Sequence, residues 1–416
     1  MWASPIFFTP PVNPRLWDTQ SPKISKAFNA YRNFDYQKCL LTLGDEIVSI
    51  EPSNHNDWLK VELRLMSLVQ LGAIKDIRDQ LSSLRKILDS PKDLNRLELL
   101  SAVTELWIGE EDARISGIKL RNLRSNWKKV NDVDLQIITD TTYLTYLWRE
   151  ERIEDMPLVL RDLEKNLSKL FDSQHPAWTI CNIYKVLVQT IIYEAQNRYI
   201  KPLYDQIETA NIKSKIRSSM YKHATRGFCY VHKGETSRGL RHLESALHLL
   251  EKHIGSSSTL TLQFAIKLGN LLWDNNQFTV AHNLAHRLHK ICNETLGPKS
   301  KTTIRYRILL AKCMMRMRRA TEALSLLTKS LNALNPDKQI RVSAEIHLQL
   351  GMLLLEKSQY LEAERHLNLG RFIASRHFQP NHSIIDKFQR LAVVLKSQKN
   401  SISKEIISPV RTILLE

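Results

Sequence analysis

Small and large apolar residues recur in a fixed order along the stretch from residue 227 to residue 370. The small residues that anchor this order are Gly227, Gly269, Ala311 and Gly351, which are separated by 42, 42 and 40 residues. Around each anchor, apolar positions three and four residues apart predict two helices with a polar turn between them. A nearly fixed period of this length indicates stacked helical hairpins.

The small residues mark the positions where the two helices of a hairpin, A and B, are expected to cross closely. Only Gly, Ala or Ser lets two helix backbones approach at short distance, whereas the large residues between them supply buried area. In the clearest copy the order is Leu268, Gly269, Leu272, Phe278, Ala281, Ala285 and Leu288.

Degenerate copies of the same order precede this block. One runs through Ala27, Ala30, Tyr36, Cys39 and Leu43, and a second begins at Leu65 with Leu71-Gly72 at its turn. Between residues 94 and 171 the period stays helical, but the small-residue signature blurs. These patterns predict that helical hairpins begin near residue 23.

Over about residues 220–381, the repeats resemble the tetratricopeptide repeat (TPR), with the long period found in kinesin light chains. The resemblance concerns the repeat type. It implies a right-handed α-solenoid of stacked antiparallel helix pairs with its binding surface on the concave face lined by A helices. Ile266 and Lys267 occupy positions where kinesin light chains carry asparagines, so their cargo class is not transferred to this chain.

We therefore predict an all-α protein with four regions. These are a Pro- and aromatic-rich extension (1–22), degenerate TPR-like hairpins (23–212), a TPR block that is strongly basic to about residue 319 (213–384), and a capping helix with a C-terminal tail (385–416).

Positive charge is concentrated in the TPR block. Residues 213–319 contain 20 Lys and Arg but only five Asp and Glu, so they carry +15 of the total net charge of +17. A local positive field of this kind attracts anionic partners.

Five scattered cysteines without a C-x-x-C pair indicate a reducing compartment. No apolar run is long enough to span a bilayer, and no targeting signal is recognised, so the expected location is the cytoplasm, including cilium and cytoskeleton, with an organelle or the nucleus left open.

Catalytic motifs are absent from the sequence: it contains no phosphate-binding loop, dinucleotide fingerprint, zinc-protease motif or nucleophile elbow. His282, His286 and His289 share one helix face, but no carboxylate or cysteine at chelating spacing accompanies them. We expect no enzymatic activity, no metal and no cofactor.

The A-helix face supplies the candidate binding residues. Arg305, Lys312 and Arg316 are spaced seven and four residues apart and lie on one face of a helix. Cations on a rigid helix suit carboxylates or phosphates. The predicted partner-binding residues are Lys267, Asn270, Arg305, Lys312 and Arg316, with Tyr221, Phe228, Gln263, Lys299 and Lys301 as further contacts.

These observations favour a non-enzymatic scaffold or adaptor that binds an acidic or extended segment of a partner protein. The repeat family implies a multiprotein assembly of the trafficking, ciliary or cytoskeletal kind. The alternative is an RNA-associated repeat protein that uses the basic block, and an enzyme or enzyme subunit ranks third. The oligomeric state and the identity of the partner stay open.

Overall fold

All regular elements in the described part of the chain are helices, as seen in a computed structural model. The structure describes residues 13–16, 18–33, 35–44, 55–108, 113–150, 152–173, 175–192, 215–334, 340–378, 380 and 382–400. The all-α prediction is therefore confirmed. Most of the predicted 1–22 extension and the end of the C-terminal tail lie outside the described residues.

The chain divides into two compact units, an N-terminal unit up to Phe264 and a C-terminal unit from Ala265. The domain boundaries expected from the sequence stay a prediction. The helices of the N-terminal unit are α1 (Pro22–Arg32), α2 (Tyr36–Leu43), α3 (His55–Leu71), α4 (Ile74–Ile87), α5 (Pro91–Ile108), α6 (Ala113–Val130), α7 (Val133–Arg149), α8 (Met156–Leu170), α9 (Trp178–Ile191), α10 (Lys215–His232) and α11 (Thr236–His253).

Helix α12 (Thr259–Asp274) contains the division between the units. The C-terminal unit continues with α13 (Phe278–Thr295), α14 (Lys301–Arg316), α15 (Ala320–Ala333), α16 (Ile340–Glu356), α17 (Tyr360–His377) and α18 (Ser383–Asn400). Helix α18 is the final helix expected after the last hairpin, and its Phe388 and Leu391 are buried in the apolar core of this unit.

Four turns between A and B helices share one backbone conformation. Gly234, Asn276, Arg318 and Ser358 all have φ between 59° and 81°, and each lies seven residues after an anchor. In each turn, the residue that follows the positive-φ residue donates its backbone N–H to the carbonyl of the residue five positions before it, over 2.8–2.9 Å. This bonding satisfies carbonyls at the end of helix A and reverses the chain. The repeat register predicted from the anchors is therefore confirmed.

Close helix contacts of two kinds involve the anchors. A Cβ added at Gly239 of α11 would lie 2.7 Å from the carbonyl oxygen of Gly227 in α10, so here the two helices of one hairpin meet backbone to backbone. A Cβ at Gly269 would instead lie 2.5 Å from Cδ2 of Leu309, which belongs to the A helix of the next hairpin. The expected A-to-B crossing thus describes the first contact, whereas Gly269 makes room for packing between successive hairpins.

Helix α7 is buried along nearly its whole length and forms the centre of the N-terminal unit. Every residue from Leu135 to Trp148 is buried. Its threonine hydroxyls donate to carbonyls one turn earlier, as Thr139 does to Leu135 over 2.6 Å. Its buried carboxylate, Asp140, accepts a 2.5 Å hydrogen bond from Arg124 of α6. Burial of these hydroxyls and of the bonded carboxylate oxygen is tolerated because each has a hydrogen-bond partner.

Candidate functional site

Helix α14 presents the predicted cations Arg305, Lys312 and Arg316 in one row. Arg305 and Arg316 are half-buried, whereas Lys312 is only 6% exposed. Among the described residues, none of the three has a carboxylate oxygen within ion-pairing distance of 4.0 Å. The row is therefore a partly buried strip of positive charge without a neutralising carboxylate in direct contact.

Lys312 is fixed by two neighbours on α12. Its Nζ donates to Oδ1 of Asn270 over 2.8 Å and lies 4.2 Å from the ring centre of Trp273. The Asn270 amide in turn donates to the carbonyl of Ile266 over 2.9 Å. The ammonium is thus held between a carbonyl dipole and an aromatic face, which is a geometry that cation–π attraction stabilises.

Arg305 and Arg316 lie at the two ends of the row in different surroundings. Burial lowers the pKa of Arg305, while the negative charge of Glu345 on α16 opposes that shift. Glu345 lies six residues before its anchor, as Arg305 does, so opposite charges occupy equivalent positions in successive hairpins. The guanidinium carbon of Arg316 lies 5.0 Å from the ring centre of Phe278.

The other predicted contacts of the C-terminal unit surround this row. Lys267 is half-buried on α12, Lys301 is half-buried at the first position of α14, and Lys299 is exposed in the preceding turn. All three have interactions with other groups of the protein. The C-terminal unit thus places seven of the ten predicted residues on α12, on α14 or in the turn before α14.

Tyr221, Phe228 and Gln263 belong to the N-terminal unit and are covered by its own chain. Their exposed fractions are 3%, 7% and 8%. The Gln263 amide donates to the carbonyl of Trp107 at the end of α5, over 2.7 Å. In this conformation they pack inside the unit and are not accessible to a partner, which the periodicity of the sequence did not indicate.

The three histidines of α13 make separate contacts. The rings of His282 and His286 stack with centres 6.0 Å apart, whereas His289 accepts a 3.2 Å hydrogen bond from Arg307. Burial, and then the charge of Arg307, lower the pKa of His289. Within the described ranges, no three His, Cys, Asp or Glu side chains are grouped closely enough to hold a metal ion.

None of the five cysteines forms a disulfide, and all five are buried. Burial raises the pKa of Cys39 and Cys313 to about 11 and that of Cys292 to about 12, and it also raises that of Cys181. Thiols of this kind are poor nucleophiles because the reactive species is the thiolate. In the described part of the chain, no helix is long and apolar enough to cross a membrane.

Comparison with known proteins yields structural likenesses only. No protein-family model matches the sequence, and no curated protein matches it. Among solved structures, the chain is similar to the Rap protein complexed with competence and sporulation factor (12% identity, TM-score 0.47, 83% of this chain and 97% of that one).

The chain is also similar to yeast Tom70 (11% identity, TM-score 0.45, 92% of this chain and 82% of that one). A third match is BtubC (BKLC) from P. vanneervenii (13% identity, TM-score 0.40, 60% of this chain and 95% of that one). At these identities and TM-scores, the three structures say nothing about what this chain binds.

Proposed function

We propose that this protein is a non-enzymatic scaffold that holds an acidic, extended segment of a partner protein against the row on α14, where Arg305 and Arg316 form the contacts and the buried Lys312 adds its positive charge. The observation that supports the proposal is the absence, among the described residues, of a carboxylate in ion-pairing contact with any of these three partly buried cations. Partly buried charge is costly unless it is paired. A carboxylate-rich segment would supply the missing counter-charge.

The N-terminal unit provides the contrast. There, several buried or half-buried cations are paired with carboxylates: Arg96 with Glu62 at 2.6 Å, Arg124 with Asp140 and Asp162, and Lys185 with Glu164. The row on α14 has no such direct contact with a carboxylate, as expected of a surface whose counter-charge comes from a partner.

The arrangement favours an acidic peptide over RNA. Proteins that bind single-stranded nucleic acid combine a positively charged groove with accessible aromatic rings on which the bases stack. Beside the row, however, Trp273 is covered by Lys312 and is only 9% exposed, while Phe278 contacts Arg316. The aromatic rings next to the cations are therefore in contact with the cations themselves, which leaves less ring surface for base stacking.

Fluorescence anisotropy with two probes tests this choice. We expect an extended, labelled oligoglutamate peptide to bind the full-length chain, with an affinity that decreases moderately with salt. A labelled oligouridylate of equal charge should bind more weakly. Tighter binding of oligouridylate, with a steep salt dependence, would favour the RNA alternative and overturn the proposal.

The wider role that we propose is an adaptor in a cytoplasmic trafficking, ciliary or cytoskeletal assembly. This rests on the resemblance of the repeat type. Identification of the proteins that co-purify with the chain from its native source tests it, and recovery of nucleic acid without a protein partner would contradict it.

A further inference from the structure

Two hairpins contain a pair of histidines whose rings meet between helix A and helix B. In the N-terminal unit, Nδ1 of His223 on α10 lies 3.0 Å from Nδ1 of His242 on α11. In the C-terminal unit, Nδ1 of His347 on α16 lies 2.8 Å from Nδ1 of His366 on α17. Both are hydrogen-bonding distances.

The two pairs occupy the same position in their repeats. The residues of each pair are 19 apart in sequence, and the first histidine of each lies four residues before its anchor, Gly227 or Gly351. The two hairpins between them carry other residues at these positions: Ala265 with Leu284, and Arg307 with Leu326. The histidine pair is therefore found in the α10–α11 and α16–α17 hairpins and not in the two hairpins between them.

The bond between two Nδ1 atoms sets a limit on the number of protons. It requires one N–H donor and one nitrogen lone pair, so it forms when both rings are neutral or when one of them is charged. When both rings are charged, two N–H groups face each other at about 3 Å and two positive charges repel. The second proton therefore breaks the contact.

Around the first pair, the charged side chains that act on the histidines are all positive among the described residues. They are Lys222 and Arg226 on α10, and Arg238 and Arg241 on α11. The ring of Tyr230 stacks on His242 at 5.5 Å. Burial lowers the pKa of both histidines, and the cations lower it further.

Around the second pair, burial is the main influence. It lowers the pKa of His347 to about 4, with the charge of His366 acting in the same direction. The pKa of His366 is also lowered by burial, which Glu362 opposes and Arg365 supports. Both of these charged residues lie on α17. Helix α18 contributes Phe388, whose ring lies against Gly370 beside His347.

We propose that each histidine pair is an acid-sensitive clip, which holds helices A and B of its hairpin together at neutral pH and releases them when acidification adds a second proton. Because the pKa values are lowered on folding, the stabilisation is complete above the ordinary histidine pKa of 6.5. It is lost as the pH falls from there toward the folded values. The clip is independent of the partner proposed above.

Hydrogen–deuterium exchange of the full-length chain at pH 7 and pH 4.5, corrected for intrinsic exchange and in the presence of a chelator, tests the proposal. We expect protection to decrease in both α10–α11 and α16–α17, and by about tenfold or more in α16–α17, the factor that corresponds to one pKa unit. Protection in α14–α15, which lacks the pair, should change much less. Unchanged protection in both histidine hairpins would overturn the proposal.

The double substitution His347→Asn and His366→Asn provides the control. Asparagine amides supply a donor and an acceptor but do not titrate in this range. We expect α16–α17 to keep its protection at pH 4.5 in this variant, while α10–α11 still loses it in the same molecule. Equal loss in α16–α17 of variant and wild type would contradict the clip.

If the variant does not fold, NMR of the ring nitrogens in the wild-type chain still decides the matter. One Nδ1–H per pair is expected at neutral pH, whereas two rings protonated only at Nε2 would exclude the bond.

Discussion

Lys312 on α14 donates a 2.8 Å hydrogen bond to Asn270 on α12, the residue that lies 42 positions earlier. Each of the two follows directly after its anchor, Ala311 or Gly269. The bond therefore joins equivalent positions of successive hairpins. It fixes a buried ammonium next to the two arginines of the proposed binding row.

Replacing Asn270 by Ala should destabilise the C-terminal unit by about 1–3 kcal/mol, because the buried Lys312 ammonium would lose its hydrogen-bond acceptor. The loss should be much smaller in a Lys312→Met background, where no charge needs a partner. Urea unfolding of the four proteins in a double-mutant cycle measures this coupling. Asn283→Ala, on the exposed face of α13, is the control. Equal effects in both backgrounds would show that the bond contributes no coupling.

Gly239 and the anchor Gly269 should differ in their tolerance of a methyl group. At Gly239 the added Cβ meets backbone atoms, the Gly227 oxygen at 2.7 Å and the Val231 nitrogen at 2.8 Å. At Gly269, the close contact of an added Cβ is with one methyl group of the flexible Leu309 side chain. We expect Gly239→Ala to cost about 1–3 kcal/mol or more, and Gly269→Ala to cost less because a side chain moves more easily than a backbone.

Thermal unfolding measures the difference, with Ser237→Ala on the exposed face of α11 as the control. A Gly239→Ala variant that unfolds at the wild-type temperature would contradict the close crossing of α10 and α11.

For residues 227–370, the sequence was sufficient to predict the hairpins and their register, because small residues and apolar spacing are local signals. It did not predict the burial of Lys312, since helical spacing tells which residues share a face but not how closely the next helix covers them. Burial of Gln263 depends on a carbonyl 156 residues away, which no periodicity reveals. The positive φ of Asn276, Arg318 and Ser358 does recur seven residues after each anchor, so the period itself could have located those turns.

The buried Asp140 should make the N-terminal unit more stable at mildly acidic pH than it would otherwise be. Burial raises its pKa to about 6 from the ordinary 3.8, although Arg124 opposes the shift. Because the folded pKa is the higher one, this contribution is fully present below pH 3.8 and is lost as the pH rises through about 6. Asp140→Asn removes the titration while keeping an acceptor for Arg124.

The difference in urea midpoint between wild type and Asp140→Asn measures this contribution. Both proteins contain the same histidines, so the effect of histidine titration cancels in the difference. We expect the wild type to gain stability relative to the variant when the pH falls from 7.5 to 5. Parallel pH profiles would show that Asp140 is not protonated on folding in this range.

The row on α14 is proposed to bind a carboxylate-rich segment. The most direct test of this binding is the affinity of labelled oligoglutamate for the Arg305→Gln, Arg316→Gln double variant, measured beside Lys290→Gln, Lys329→Gln. The control pair removes the same charge from the exposed faces of α13 and α15. A hydrogen bond to a charged group contributes about 1.5–3 kcal/mol, so we predict at least a tenfold loss for the first variant and less than about twofold for the second. Equal losses in the two variants, or none in the first, would contradict the account.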